Sequence, residues 1–356
     1  MNYIAYNLVF VISLLLSHLY QKVEYRYKKY LFYILIFSVV TFVSIRFDVG
    51  PDYSNYVQAF KTVIYYDSVL SPDYQFFGFL SELFGNSEKG YIGVFAIYFL
   101  ITFWLIATTL KRYNILFLGM VVFFGFGFFW DSMDRIRQYA AIGIFVYSVK
   151  DIVDNNFFNF FLKIIIAVML HVSALALLPV YFIAKIRINR VFTMFIFVAL
   201  ILGYYSNLFE KLIFYFYSLV PYYGEIYLQS NHVENINQFN SGLGFLTKAI
   251  FVFIVAFFAP VNYKYRTLLV IGLIMMVFAS GNLNIDRFSD YFTIVIIIAL
   301  PIMVQNIQLK YNKLFILIPL FLYLFVLFES EIGKTNFDYQ TIFSNNFKNQ
   351  IFESRD

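Results

Sequence analysis

The chain has 356 residues, of which 61% are hydrophobic and only 13% are charged, and its formal net charge is +5 at pH 7. Soluble domains are about half apolar and about a quarter charged, so this composition excludes a water-soluble fold and predicts an integral membrane protein. Cysteine is absent, which excludes both a disulfide framework and a cysteine-ligated metal site.

Apolar runs of helical length recur along the whole chain. A hydrocarbon core of about 30 Å needs about 20 helical residues, and many runs here are nearer 15–18, so they borrow polar residues at their ends. Residues 1–20 lack a basic n-region and a cleavage site, so we expect a first span there and not a signal peptide. The sequence predicts an all-α, polytopic transmembrane protein with about twelve spans, near Tyr3–Tyr20, Tyr30–Ser44, Tyr91–Leu110, Ile115–Trp130, Ile136–Val149, Phe157–Leu170, Val172–Ala184, Val191–Tyr205, Gly244–Ala259, Thr267–Ser280, Tyr291–Gln305 and Leu314–Phe328.

The apolar segment 157–183 is too long for one span and carries no turn signal that would make two. Basic residues before and after it favour the cytoplasm, so the segment should enter the membrane and return. The sequence therefore predicts a broken helix hairpin near His171. Non-helical backbone at that depth is tolerated only beside protein or a water-filled cavity, so we expect His171 to lie at a cavity.

Every second connection in this scheme is basic, which fixes these loops as cytoplasmic and both termini as extracytoplasmic by the positive-inside rule. The long loops 46–90 and 206–243 then lie outside. Residues 1–329 are predicted to form a single polytopic membrane domain, and residues 330–356 a polar C-terminal tail.

Four arginines break this charge bias, because they lie at the outer ends of spans. Ionisable groups at a membrane edge are costly, and they usually pair with one another or line a substrate path. One interpretation is structural pairing with neighbouring aspartates. The other is an anion site, because several guanidinium forks that converge on one outer cavity would bind a diphosphate bidentately. The arginines are Arg46, Arg135, Arg137 and Arg287, and the nearby aspartates are Asp48, Asp52, Asp131, Asp134, Asp286 and Asp290.

The segment after Arg46 is typical of a helix stop followed by an amphipathic helix. Gly50 and the proline after it end the second span, and Asp52 can cap the next helix. The apolar stretch Tyr53–Leu70, like Leu208–Val220 in the second outer loop, is predicted to lie in the membrane interface. Three aromatic residues on one face of the first stretch are either interface aromatics or a platform for sugar rings, and they are Tyr53, Tyr56 and Phe60.

This region resembles the opening signature of the EpsG family, the Wzy-type polymerases of bacterial surface polysaccharides. The string that carries the resemblance is Arg46…Gly50-Pro51-Asp52-Tyr53-x-x-Tyr56…Phe60. Further features agree in order along nearly the whole chain, and they are Arg137-Gln138-x-x-Ala141, His171-x-Ser173-Ala174 and Arg287-x-x-x-Tyr291-Phe292. The resemblance assigns no role to the tail.

The resemblance implies a membrane glycosyltransferase of GT-C-like architecture in the bacterial cytoplasmic (inner) membrane, with its active site outside. It would polymerise oligosaccharide repeat units carried by undecaprenyl diphosphate into O-antigen, capsule or exopolysaccharide. The implied partners are this lipid-linked substrate, membrane lipids, a chain-length regulator and a flippase, with no nucleic acid and no cofactor. The alternative functions are a polysaccharide or lipid transporter and an O-antigen ligase that uses the same donor.

Diphosphate is a good leaving group, so the transfer needs charge stabilisation and a base for the acceptor hydroxyl. The catalytic candidates are Arg137 and, as alternative bases, His171 and Asp52. A structural hydrogen bond to a carbonyl freed by the helix break is the other interpretation of His171. Guanidinium groups would neutralise the diphosphate where other transferases use a metal, and no metal site is predicted. The substrate-binding candidates are Arg46, Tyr53, Tyr56, Arg135, Gln138, Arg287 and Tyr291.

Overall fold

A computed structural model describes residues 2–66, 74–218, 242–259, 262–278, 283–307, 314–333 and 338–343. Contacts divide the chain into two compact units, the first made of Met1–Leu178 with Gln308–Asp356 and the second of Pro179–Ile307. Most of the predicted outer loop 206–243, and the predicted tail beyond Phe343, lie outside the described residues.

Helices dominate the described part of the chain. In chain order they are α1 (Asn2–Lys22), α2 (Tyr25–Ser44), α3 (Tyr53–Tyr66), α4 (Gln75–Phe84), α5 (Tyr91–Arg112), α6 (Leu116–Gly125), α7 (Phe128–Asp134), α8 (Ile136–Val153), α9 (Phe157–Leu170), a 3₁₀ helix (Val172–Leu177), α10 (Val180–Ile183), α11 (Arg190–Tyr205), α12 (Leu208–Ser218), α13 (Leu243–Phe258), α14 (Tyr263–Phe278), α15 (Leu283–Thr293), α16 (Ile296–Asn306) and α17 (Leu314–Ile332). Helices α1–α9, the 3₁₀ helix and α17 belong to the first unit, and α10–α16 belong to the second.

Five segments of the described chain are long and apolar enough to cross a membrane, and a sixth would be the pair α6 and α7, which is bent by 65°. The five are Tyr3–Lys22, Tyr25–Ser44, Tyr91–Arg112, Arg287–Asn306 and Leu314–Ile332. Several other helices, among them α9 and α11, are apolar but shorter. The prediction of an all-α membrane protein is therefore confirmed. The count of twelve spans and the GT-C-like architecture stay predictions.

Helices α2, α5 and α8 of the first unit carry their charged residues near their ends. No charged residue lies in α2 after Lys29, in α5 before Lys111, or in α8 between residues 139 and 149. Lys111 lies 4.2 Å from the ring centroid of Phe32 near the start of α2, and Arg112 lies 4.2 Å from that of Tyr147 near the end of α8. The basic ends of these antiparallel helices therefore meet, and the ends that carry the predicted site residues meet at the opposite end of the unit.

The chain breaks at His171, as predicted. Helix α9 ends at Leu170, the 3₁₀ helix begins at Val172, and His171 between them is extended, with φ −156° and ψ 120°. Helices α8 and α9 pack side by side around a tight turn, pinned by a 2.5 Å contact between the Lys163 ammonium and the Asp151 carboxylate. Because α9 rises about 21 Å over its length, His171 returns to within about one turn of the level of Arg137.

The one sheet in the described residues joins distant parts of the first unit. Strand β1 (Arg46–Phe47) pairs antiparallel with β2 (Gln340–Thr341). Helix α17 runs to Ile332, so the first residues of the predicted tail are helical. The tail therefore contributes ordered structure to the first unit.

Hydrogen bonds and close helix packing hold parts of the second unit together. The Arg266 guanidinium donates from Nε to the Ala256 carbonyl at 3.0 Å and from Nη2 to the Ala259 carbonyl at 3.0 Å, which secures the connection between α13 and α14. A Cβ on Gly272 would lie 2.9 Å from the Thr293 backbone nitrogen, so α14 and α15 approach each other closely.

Candidate functional site

The Arg46 motif contacts the segment just before Arg137, although the two lie more than 80 residues apart in the chain. The Asp52 N–H donates to Asp134 Oδ1 at 2.7 Å, and Arg46 Nη2 donates to the Met133 carbonyl at 2.6 Å. Gly50 has φ +100°, and a Cβ there would lie 3.1 Å from Asp134 Oδ1. Only glycine suits both this backbone conformation and this close contact with Asp134. The loop after α2 therefore packs directly against the Asp134 side chain.

Arg46 is fully buried under this loop. In addition to Met133, its guanidinium donates to the carbonyls of Val43 at 2.7 Å and Val49 at 3.4 Å, and it lies 4.9 Å from the Phe95 ring centroid. Burial lowers the pKa of the Arg46 guanidinium, and the surrounding tyrosine hydroxyls and a nearby carboxylate oppose that shift. Arg46 therefore holds the loop together in this conformation, and its direct contact with substrate stays a prediction.

Arg135 occupies the junction between α7 and α8. It forms an ion pair with Asp131 one turn earlier, and its guanidinium lies 5.6 Å from the Tyr139 ring centroid. The geometry of Arg135 therefore agrees with the structural interpretation, in which the arginine pairs with a neighbouring aspartate. Because the Asp131 side chain is 39% exposed, such a pair is expected to stabilise the junction by less than about 1 kcal/mol.

Arg137 lies in the first turn of α8 and is only 3% exposed, as is Gln138 beside it. The Arg137 guanidinium carbon lies 3.4 Å from the ring centroid of Tyr74, a stacking distance. Such stacking holds the guanidinium plane in a fixed orientation, so its N–H fork keeps a defined direction.

The Tyr56 hydroxyl links Arg137 to the acidic side of the site. Burial raises the pKa of this hydroxyl, the Asp52 carboxylate raises it further, and Arg137 lowers it. Tyr74 and Asp134 act on the same hydroxyl. We name the group Asp52, Tyr56, Tyr74, Asp134 and Arg137 the Arg137 cluster.

The aromatic face of α3 packs against protein. Tyr53 lies 5.3 Å from Phe95, and Phe60 lies 6.1 Å from Tyr91, measured between ring centroids. Tyr56 lies 5.9 Å from the ring of Phe77 in α4. Tyr53, Tyr56 and Phe60 are all buried, so core packing accounts for their spacing. The predicted contacts of Tyr53 and Tyr56 with substrate are not tested by this packing.

His171 is held by the residue two positions later. Its Nδ1 lies 2.5 Å from Ser173 Oγ and accepts from the Ser173 N–H at 3.3 Å. This contact caps the 3₁₀ helix and orients the half-buried ring. The structural interpretation expected His171 to bond to a carbonyl freed by the helix break. The partner of Nδ1 is instead Ser173.

Arg287 and Tyr291 belong to the second unit. Arg287 is half-buried at the start of the candidate span Arg287–Asn306, and Tyr291 is fully buried one turn later. The position of Arg287 at the end of a span agrees with the sequence analysis. Its convergence with the arginines of the first unit stays a prediction.

Two members of the Arg137 cluster were not proposed as site residues from the sequence. Tyr74 is one of 31 tyrosines and stands in no motif, so nothing in the sequence marks it as the ring beneath Arg137. Asp134 was considered only as an ion-pair partner. Its position before two arginines was a signal, but its bond to the Asp52 amide is a tertiary contact.

Within the described ranges, no group of three or more His, Cys, Asp or Glu residues is arranged to hold a metal ion. Metal independence stays a prediction.

Comparison with known proteins places the chain in a family. No curated protein and no solved structure matches it. The EpsG family matches residues 29–343, a range that contains every predicted site residue and ends at Phe343, the last described residue of the tail. The chain therefore belongs to the EpsG family.

Proposed function

We propose that this protein is a membrane glycosyltransferase that polymerises oligosaccharide repeat units, carried by undecaprenyl diphosphate, into a surface polysaccharide at the extracytoplasmic face. Membership of the EpsG family points to a membrane protein of polysaccharide biosynthesis. The observation that carries the finer proposal is the Arg137 cluster, in which a buried guanidinium stacks on Tyr74 and acts on the Tyr56 hydroxyl at the end of apolar helices. A diphosphate at the membrane edge is an anion that suits this position.

The proposed reaction joins the acceptor hydroxyl oxygen to the anomeric carbon of the donor sugar. The bond from that carbon to the diphosphate oxygen breaks, its electron pair leaves with the lipid diphosphate, and the acceptor proton passes to a base. Arg137 would stabilise the charge that develops on the leaving oxygen. Stacking on Tyr74 keeps the guanidinium oriented, so little reorganisation is needed in the transition state.

We propose His171 as the base and Asp52 as its rival. The length of α9 brings His171 near the level of Arg137, and Ser173 holds its Nδ1. We propose that Nε2 takes the acceptor proton. Asp52 belongs to the Arg137 cluster, because its carboxylate acts on the same Tyr56 hydroxyl as Arg137.

A transporter is the less favoured alternative. A path for a charged substrate should carry polar or ionisable groups through both leaflets. In the first unit, α2, α5 and α8 carry their charged residues at their ends, with uncharged stretches of at least eleven residues between. That arrangement favours chemistry at one face.

The test is polymer formation by purified protein in lipid vesicles with native lipid-linked repeat units. We expect a ladder of lipid-linked oligomers from the wild-type chain and none from Arg137→Ala. Transfer of preformed polymer to another lipid, without a ladder, would identify a ligase and refute the polymerase proposal. If His171 is the base, His171→Gln should abolish the ladder between pH 6 and 9, whereas Asp52→Asn should leave a measurable rate. A measurable ladder from His171→Gln and none from Asp52→Asn would show that Asp52 is the base.

A further inference from the structure

The C-terminal tail is attached to the loop that carries Arg46. In the sheet, Arg46 lies opposite Thr341 and Phe47 lies opposite Gln340. The pairing continues for one more residue, because the Ile342 N–H donates to the Ile45 carbonyl at 3.0 Å. We name residues 338–343 the C-terminal strap.

Tyr339 anchors the strap in the first unit. Its hydroxyl donates to the Phe42 carbonyl at 2.8 Å, and its ring stacks on Phe42 with centroids 4.3 Å apart and planes 5° apart. The same ring meets Tyr6 of α1 edge-on at 5.4 Å. Tyr6 is fully buried and lies 4.3 Å from Trp130 of α7, so Tyr339 completes an aromatic group drawn from three helices.

The Arg46 loop has an evident need for this support. Strand β1 has two residues, too few to be stable without a partner. Asp48, the next residue, has a left-handed backbone with φ +53°, which costs free energy in a residue that has a Cβ. One side of the loop is bonded to Met133 and Asp134, and the strap pairs with its β1 strand.

We propose that the C-terminal strap is a positioning element of the polymerase site, and that Tyr339 is its positioning residue. The strap holds Arg46 and Phe47 in place, and this keeps Asp52 and Tyr56 in the Arg137 cluster. Tyr339 contacts no reacting group in this scheme and acts through the loop. The proposal rests on the proposed function, so its test includes a measurement that needs no activity.

The first measurement compares tail variants at matched abundance in the membrane. Tyr339→Ala removes the stack and the hydrogen bond, and we expect about a tenfold lower rate of ladder formation, which corresponds to one or two lost contacts. Tyr339→Phe keeps the stack and should stay within about threefold of wild type. A chain that stops after Phe343 should polymerise normally, whereas one that stops after residue 337 should lose activity. Equal activity of the two truncated chains would overturn the proposal.

The second measurement is a reversible rescue. The chain has no cysteine, so Ile45→Cys with Ile342→Cys introduces the only thiols. The 3.0 Å bond from the Ile342 N–H to the Ile45 carbonyl brings the two backbones close enough for a disulfide between these positions. In a Tyr339→Ala background, oxidation should restore at least half of the wild-type rate, and reduction should remove it again. Failure of the disulfide to form, or a disulfide without rescue, would overturn the proposal.

The third measurement follows the loop itself. Val49 is fully buried, so a Val49→Cys thiol should react slowly with a maleimide while the strap is docked. We expect labelling at least tenfold faster when Tyr339→Ala is added, and an unchanged rate would refute the positioning role. This result needs no substrate. If the wild-type chain makes no ladder, the proposed function fails while the labelling rates still decide whether the strap holds the loop.

Discussion

At the scale of single residues, three arginines of the first unit show how different surroundings give the same side chain different contacts. Arg46 donates to backbone carbonyls, Arg135 pairs with a carboxylate, and Arg137 stacks on an aromatic ring. The Arg46 guanidinium binds three backbone carbonyls, one of them in α7, and is therefore a structural brace. Arg137 combines near-complete burial with a fixed plane, which suits the recognition of a planar pair of phosphate oxygens.

We predict that Arg137→Lys will lower polymerisation by about one to two orders of magnitude although the charge is retained. An ammonium loses the fork, and each lost charge-assisted hydrogen bond is worth roughly 1.5–3 kcal/mol if it acts in the transition state. The measurement is the ladder rate at equal protein abundance. Arg112→Lys is the matched control, because Arg112 also lies over a tyrosine ring but at the basic end of the unit. Wild-type ladders from Arg137→Lys would count against diphosphate recognition by this residue.

At the scale of elements, the site depends on a loop and a helix junction that fit closely. The loop between α2 and α3 lies on the junction between α7 and α8, and the contact is made by backbone groups as much as by side chains. The glycine of the Gly-Pro-Asp string is therefore a packing requirement. Its Cα hydrogen faces the Asp134 side chain where any other residue would place a carbon.

We predict that Gly50→Ala will destabilise this contact. A left-handed backbone costs a residue with a Cβ about 1–2 kcal/mol, and the new methyl would also press on Asp134 Oδ1. The melting temperature of the purified protein should fall by a few degrees, and the ladder rate should fall with it. Gly244→Ala is the control, since a Cβ there meets nothing within 4 Å. If Gly50→Ala proves as stable and active as Gly244→Ala, the close contact between the loop and Asp134 is not required.

At the scale of the whole molecule, the first unit separates two kinds of surface. One end carries the basic residues that follow the positive-inside rule, and the other carries the Arg137 cluster and the C-terminal strap. A transferase that draws a lipid-linked donor from the membrane would use the second end.

We predict that this end faces outside the cytoplasm. Glu88 and Lys22 are exposed at opposite ends of the first unit, and the chain has no native cysteine to interfere with thiol labelling. A membrane-impermeant maleimide added to intact cells should label Glu88→Cys and spare Lys22→Cys. Both should react once the membrane is permeabilised. The reverse pattern in intact cells would invert the topology and remove the site from the extracytoplasmic face.

Local patterns in the sequence predicted where several candidate residues lie relative to the helices. The arginines appear at the ends of candidate spans, the helix after Gly50 begins at Tyr53, and the chain breaks at His171. Each of these depends on residues within a turn or two, so periodicity and charge are enough to predict them. The substrate roles of the ten candidate residues stay predictions, because no local pattern states what a side chain binds.

Composition, charge bias and motif order in the sequence alone determined that this is an all-α membrane protein of the EpsG family. Only the tertiary structure shows that Arg46 binds backbone carbonyls and that Arg137 stacks on an aromatic ring. It also decided that Tyr74 lies beneath Arg137 and that Tyr339 supports the Arg46 loop. The physical reason is distance along the chain: these contacts join residues 63 to 297 positions apart, and a local pattern cannot choose among the 31 tyrosines that could fill either place.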